Sequence, residues 1–226
     1  MALELYLHPL ASFCHKVLIA LYENDTPFAA RVVDFASADS SAELLARWPV
    51  GKIPVLHDRA RDQVVPETSI IIEYLDQHYR GKVPLLPADP ELALEARLWD
   101  RFFDLYVQEP MQKIVVDRLR PAGRDDPHGV AQAEAALDLA YTMLERQLQQ
   151  GPWAIGASFS IADCAASPAL FYAQIVRPFQ AEQHALAAYF ERLYARPAFR
   201  RVLREARPYF GNFPLHDRMP ARFFTD

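Results

Sequence analysis

Two periods of hydrophobic and polar positions alternate over the first eighty residues. "LELYL", Leu3 to Leu7, alternates residue by residue and predicts a strand, whereas "CHKVLIALYE" places Val17, Leu18, Leu21 and Tyr22 on one helical stripe. "FAARVVDF", Phe28 to Phe35, reads as a second strand and "SAELLARW" as a short helix. "IPVLHD" with "QVV" reads as a hairpin, and the run "ETSIIIEYLDQHY" from Glu67 returns to helical spacing. That order predicts a small mixed sheet covered by helices. One residue resists the pattern: Pro54 falls inside the predicted third strand, where a missing backbone N–H is hard to accommodate.

Residues 80 to 90, "RGKVPLLPADP", carry three prolines and a glycine and cannot continue a helix. They are the expected linker, dividing an α/β domain at residues 1–80 from residues 91–226, with 81–90 between them. Beyond the linker the pattern is helical almost throughout: "ELALEARLWDRFFDLYVQ", then "GVAQAEAALDLAYTMLERQLQQ" ending at Gly151-Pro152, then helices starting near Ser160, Glu182 and Pro197. An all-α bundle is expected there. The last nineteen residues, rich in aromatics and prolines, predict an irregular tail packed on the body.

Composition narrows the function more than the fold. The chain has 226 residues, 51% of them hydrophobic, and a formal net charge of -5, which offers no electrostatic reason to bind nucleic acid or an anionic membrane surface. The N-terminus lacks the basic start and apolar run of a signal peptide, and no stretch has the ~20 apolar residues of a membrane span. Only two cysteines, Cys14 and Cys164, argue against a disulfide framework and for a reducing compartment, so a cytoplasmic protein is expected. The seven histidines include no His-x-x-x-His pair, so no metal is expected, and the seven glycines form no phosphate-binding loop. Six arginines between residues 192 and 207 read as the solvated side of the last helices.

Four segments, in order, carry a resemblance. "ASFCHKVLIAL" resembles an active-site turn and first helix, "WPVGKIPVL" a loop leading to a cis-proline strand, "PETSIIIEYL" an acidic-plus-hydroxyl turn opening a helix, and "IGASFSIADC" a capping box of Ser160 and Asp163. Over essentially its whole length the chain resembles the cytosolic glutathione S-transferase family, of bacterial type with a serine-type active site. The resemblance implies a thioredoxin-like N-terminal domain, an all-helical C-terminal domain holding an electrophile pocket, and a homodimer. It departs from the family pattern at Trp48, where Asn is usual before Pro49, and at Thr68, where Ser is commoner.

The same resemblance implies roles for particular residues. Ile53, before a cis-proline, would pair its backbone with the cysteinyl unit of glutathione as an added strand does. Glu67 would meet the γ-glutamyl amine, and the Thr68 hydroxyl with the helix start after it would meet the carboxylate. Lys52 would meet the glycyl carboxylate. Read blandly, Thr68 is a helix cap, Glu67 an exposed acid and Lys52 a solvated loop residue.

Ser12, in the turn after the first strand, would donate its hydroxyl to the glutathione sulfur; alternatively it caps the helix that follows. Cys14 lies in the same first turn, where a helix dipole lowers thiol pKa values, but a small residue packed inside the helix is the plainer expectation. His15 reads as a surface or interface residue and Tyr6 as strand packing. Tyr106, Met111, Tyr209 and Phe210 are candidate pocket residues. The expected activity is glutathione transfer to small hydrophobic electrophiles, as in detoxification. The rivals are a Cys14-dependent glutathione:disulfide oxidoreductase or lyase, and a non-catalytic interaction module on the same fold.

Overall fold

The structure, a computed structural model, describes residues 2–225. Its first part runs β1 (Leu3–Leu7), α1 (Ser12–Glu23), β2 (Ala29–Val32), α2 (Ala38–Arg47), β3 (Val55–Asp58), β4 (Gln63–Pro66) and α3 (Thr68–His78). The four strands form one mixed sheet in the order β2-β1-β3-β4. β1 runs parallel to β2 and antiparallel to β3, so Leu5 sits between Ala30 and Leu56. The central strand shows why alternation matters. Leu3, Leu5 and Leu7 point into the main core with α1 and α3, while Tyr6 joins Val33, Leu44 and Val55 under α2.

Pro54 does not interrupt a strand, contrary to the sequence pattern. β3 begins one residue later at Val55, so the missing N–H lies outside the ladder; the Ile53–Pro54 peptide is cis. Pro66 pairs with Val55 from β4, which is the edge strand, the place where a sheet tolerates proline.

The helical part begins at α4 (Pro90–Phe102). The Asp89 side chain opens it by accepting from the Glu91 and Leu92 N–H groups at 2.9 and 3.1 Å. The helix does not stop at Gln108, where the sequence pattern ends it. It passes through a π-helical stretch, Phe103–Gln108, into α5 (Glu109–Asp117). Pro110 lies at the start of α5 and has no N–H to give; a wider turn just before it lets the chain continue. There follow α6 (Pro127–Gln147), α7 (Ile161–Val176), α8 (His184–Tyr194) and α9 (Pro197–Ala206). α8 thus starts two residues after Glu182.

α7 is the axis of this bundle and is buried along nearly its whole length. Its N-terminus forms the expected capping box: Ser160 caps the helix, and Asp163 Oδ2 accepts from the Ser160 N–H at 2.8 Å. The other carboxylate oxygen accepts from the Ala154 N–H at 3.0 Å and the Tyr189 hydroxyl at 2.6 Å, tying three segments together. The tail after α9 folds back in short 3-10 turns, burying Phe210, Phe213, Leu215, Met219 and Phe223. α1 packs against α3, α7 and α9 and shares the core with Leu3, Leu5 and Leu7 of β1. That position explains why every residue from Cys14 to Leu21 is buried, rather than one stripe.

Candidate active site

The turn between β1 and α1 is fixed from several directions. The Leu10 N–H donates to His8 Nδ1 at 3.2 Å and the Ala11 N–H to the His8 carbonyl at 3.0 Å. From α7 the Tyr172 hydroxyl donates to the Leu10 carbonyl at 2.9 Å, and His15 Nε2 reaches the Pro9 carbonyl at 2.5 Å. His15, read from the sequence as a surface or interface residue, is fully buried and stacked on Tyr172 of α7. Burial pushes its pKa down to about 4 against the pull of the Pro9 carbonyl.

Ala11 occupies the N-cap position of α1, without a side-chain bond, and Ser12 is the first helical residue. Ser12 therefore does not spend its hydroxyl on capping. Its Oγ accepts instead from Nε2 of Gln108, at the end of the π-helical stretch across the domain boundary. Gln108 is buried, and its Oε1 has no hydrogen-bond partner among the described residues.

Ser12 lines an apolar cavity of about 490 Å³ between the two parts of the chain. Phe13, Phe35 and Ile53 face it from the sheet side, Met111 and Val115 from α5, and Phe213 and Pro214 from the tail. Met111 is thus where the sequence expected it. Tyr106 is not: the residue is 57% exposed and lines neither this cavity nor its neighbour. Phe210 is also displaced from its expected place, buried against Phe171 in the core. Tyr209 packs edge-on against His8, and it is Phe213, on Tyr172, that brings the tail to the cavity wall.

A second cavity of about 470 Å³ adjoins the first and is more polar; Ile53, Pro54, Glu67, Thr68 and Lys52 line it, with Arg101 and Asp104 opposite. Phe13, Lys52, Ile53 and Gln112 border both cavities, so the two meet beside the start of α1. All four glutathione-site candidates thus share one wall, and Ser12 stands on the adjoining one. Glu67 takes the N-cap position of α3 with φ +68°, left-handed for a residue with a Cβ, and no side chain caps the helix. Thr68 is inside the helix, so the capping role open to it in the sequence is not the one it plays. A strained residue at an uncapped helix start facing a cavity is an arrangement suited to an anion.

Sequence reading missed the charges behind this wall. Lys16 is fully buried, with its ammonium 2.6 Å from Asp100 Oδ1, 2.8 Å from Asp104 Oδ2 and 3.0 Å from Ser69 Oγ. Ser69 in turn donates to Asp100 Oδ2 at 2.5 Å, and Arg101 reaches Asp104 at 3.3 Å. Two cations thus balance two carboxylates. Burial still holds the Asp104 carboxyl above its usual range, against the lowering pull of Lys16. The signal was present in the sequence as a lysine among α1's apolar residues and two aspartates four apart amid Trp99, Phe102 and Phe103.

The one candidate nucleophile, Cys14, is sealed from the cavities. Cys14 is completely buried, and desolvation pushes its thiol up to about 12, overriding any lowering from the helix start. Tyr6 faces away from the cavities, donating to Glu43 at 2.8 Å beneath α2. Among the described residues no group of three His, Cys, Asp or Glu side chains could hold a metal ion, and no helix is long and apolar enough to cross a membrane.

The family model for the glutathione S-transferase N-terminal domain matches residues 5–87, and that for the C-terminal domain matches residues 111–197. FtsZ-localized protein A of Caulobacter vibrioides is 30% identical over 226 aligned residues, covering 92% of this chain and 94% of that protein. The chain belongs to the glutathione S-transferase family. Glutathione S-transferase GstB of Escherichia coli is 25% identical, covering 83% of this chain and 91% of that protein. Among solved structures, a glutathione S-transferase from Methylobacterium radiotolerans in complex with glutathione sulfonate superposes with a TM-score of 0.75. It is 26% identical over 87% of this chain and 92% of its own. The sheet and bundle described above are thus the family's thioredoxin-like domain and helical domain.

Proposed function

We propose that the protein is a glutathione transferase. It holds glutathione along the polar cavity and aims its thiol at a small hydrophobic electrophile in the apolar one. The observation that carries this reading is the junction of the two cavities at Ile53 and Phe13, beside Ser12. In this reading the backbone of Ile53 pairs with the cysteinyl unit and Lys52 meets the glycyl carboxylate. Glu67 takes the γ-glutamyl amine, and Thr68 with the uncapped start of α3 takes the γ-glutamyl carboxylate. The sulfur then lies at the junction, where the Ser12 hydroxyl donates to it.

The energetics are sufficient. A free thiol has a pKa near ~8.5, and lowering it by about two units requires ~2.7 kcal/mol of preference for the anion. One hydrogen bond to a charged sulfur supplies ~1.5–3 kcal/mol, and the start of α1 adds to it. The thiolate lone pair forms the new C–S bond while the electrophile's displaced electron pair leaves with its leaving group or onto its acceptor atom. Ser12→Ala should lower conjugation kcat/KM of a model aryl or enone electrophile by about 10- to 100-fold with the glutathione Kd nearly unchanged. Full activity in that variant would remove Ser12 from the mechanism.

The reading extends to a cytoplasmic, detoxifying homodimer whose glutathione domain, linker and helical domain occupy residues 1–80, 81–90 and 91–226. A non-catalytic interaction module is the second reading, favoured by the similarity to FtsZ-localized protein A over nearly that protein's whole length. Under it, glutathione would bind without any lowering of its thiol pKa, or not at all. The Cys14-dependent oxidoreductase has no accessible thiolate to work with.

A further inference from the structure

We infer that Gln108 is a positioning residue for the Ser12 hydroxyl, orienting and polarising it toward the glutathione sulfur. The inference rests on the transferase reading above. A hydroxyl has one proton and two lone pairs, and its proton turns to suit its partners. In this structure Gln108 Nε2 donates to Ser12 Oγ, so one lone pair is engaged and the proton is free for another acceptor. No capping duty competes for it, because Ala11 holds the N-cap position. Both residues line the apolar cavity, and Phe13 and Gln112, near them in the chain, border the polar one as well, which is where the sulfur acceptor would lie.

The amide does more than aim the proton. A hydroxyl that accepts from an N–H becomes a stronger donor, since successive hydrogen bonds polarise one another in a low-dielectric site. The geometry of this contact depends on an irregularity in the backbone. Gln108 closes the π-helical stretch Phe103–Gln108, and from there its side chain hydrogen-bonds Ser12, 96 positions away in sequence. π-helical turns recur at functional sites because they re-aim side chains within a continuous helix. Gln108 is buried, so its amide is held by packing and does not wander in solvent.

The test compares wild type, Gln108→Leu, Gln108→Glu and Ser12→Ala by titrating the ultraviolet absorbance of the thiolate of bound glutathione. Affinity for S-methylglutathione, which has no thiol to activate, is measured in parallel. Gln108→Leu removes the amide donor, and Gln108→Glu replaces it with an acceptor that takes the Ser12 proton for itself. Both should raise the bound thiol pKa by about one unit and lower kcat about tenfold, with the larger effect for Glu. S-methylglutathione affinity should stay within about twofold. Combining Gln108→Leu with Ser12→Ala should add nothing to Ser12→Ala alone. If the Gln108 variants titrate as wild type does, or lower, while Ser12→Ala raises the pKa, the inference is wrong and the transferase reading stands. If wild-type protein itself does not lower the thiol pKa, both fall together.

Discussion

Single side chains in this protein are set by what surrounds them more than by what they are. Cys14 and Ser12 lie two residues apart in the same first turn, yet one is sealed in the core with its thiol pushed up to about 12 and the other borders a cavity. His15 follows the same rule and makes a pH-dependent prediction. Its pKa falls from 6.5 in the unfolded chain to about 4 in the fold, so its contribution to stability is fully present above pH 6.5 and is lost as pH falls toward 4. The loss approaches ~3 kcal/mol across that window. Chemical denaturation between pH 7.5 and 4.5 should show this decline, and His15→Gln should flatten it; an equal slope in the variant would assign the decline to other groups. The short motifs around Ser12, Lys52, Ile53, Glu67 and Thr68 made these residues nameable through the family resemblance. The direction of Tyr106 and Phe210 was not legible, because a helical stripe tells which residues are apolar and not whether a partner covers them.

At the scale of elements, the pattern along the chain located every strand and all helices except α5. That omission has a physical cause, since Pro110 ordinarily ends a helix and here follows a π-helical stretch that carries the chain past it. The same irregular helix supplies Asp104 and Gln108, and α4 supplies Asp100. Lys16 is the counter-ion that joins α1 to them and to the start of α3 through Ser69. Removing one partner of a buried ion cluster leaves uncompensated charge, which costs about 3–5 kcal/mol. Lys16→Met should therefore lower unfolding free energy by about that amount in urea titrations, far more than Lys52→Met on the exposed loop. Equal effects would mean that water reaches Lys16 and screens its carboxylates. This cluster was hidden from the sequence reading because Lys16 lies 84 positions from Asp100 and 88 from Asp104, and only the assembled fold brings them together.

The whole molecule leaves a run of apolar side chains on α4 uncovered by its own chain. Leu94, Leu98 and Leu105 repeat along one side of α4 and its extension at 63%, 63% and 40% exposure, and Ile70 on α3 is exposed as well. Apolar stripes of this kind mark association surfaces, and a two-fold axis would let each stripe cover its counterpart. Leu98→Glu should shift the protein from dimer to monomer in sedimentation at micromolar concentration; a monomeric wild type would assign the stripe to another partner. The sequence named no such surface, since apolar positions on a helix read as core until the fold shows which side is left bare. The two cavities were equally illegible in detail. They form where the cis-proline loop, the π-helical stretch and the tail converge, and their common border at Phe13, Lys52, Ile53 and Gln112 is a property of the assembled fold.

That border is also where the functional account is most exposed to experiment. The decisive measurement is the thiolate absorbance of glutathione bound to the purified protein, followed from acid to alkaline pH beside free glutathione. A transferase of the kind proposed should bind the tripeptide saturably and titrate its thiol about two units below the free value, with most of that shift lost in Ser12→Ala. A bound thiol that titrates where the free one does would contradict the account, and would make this chain a glutathione-binding module that does not activate its ligand.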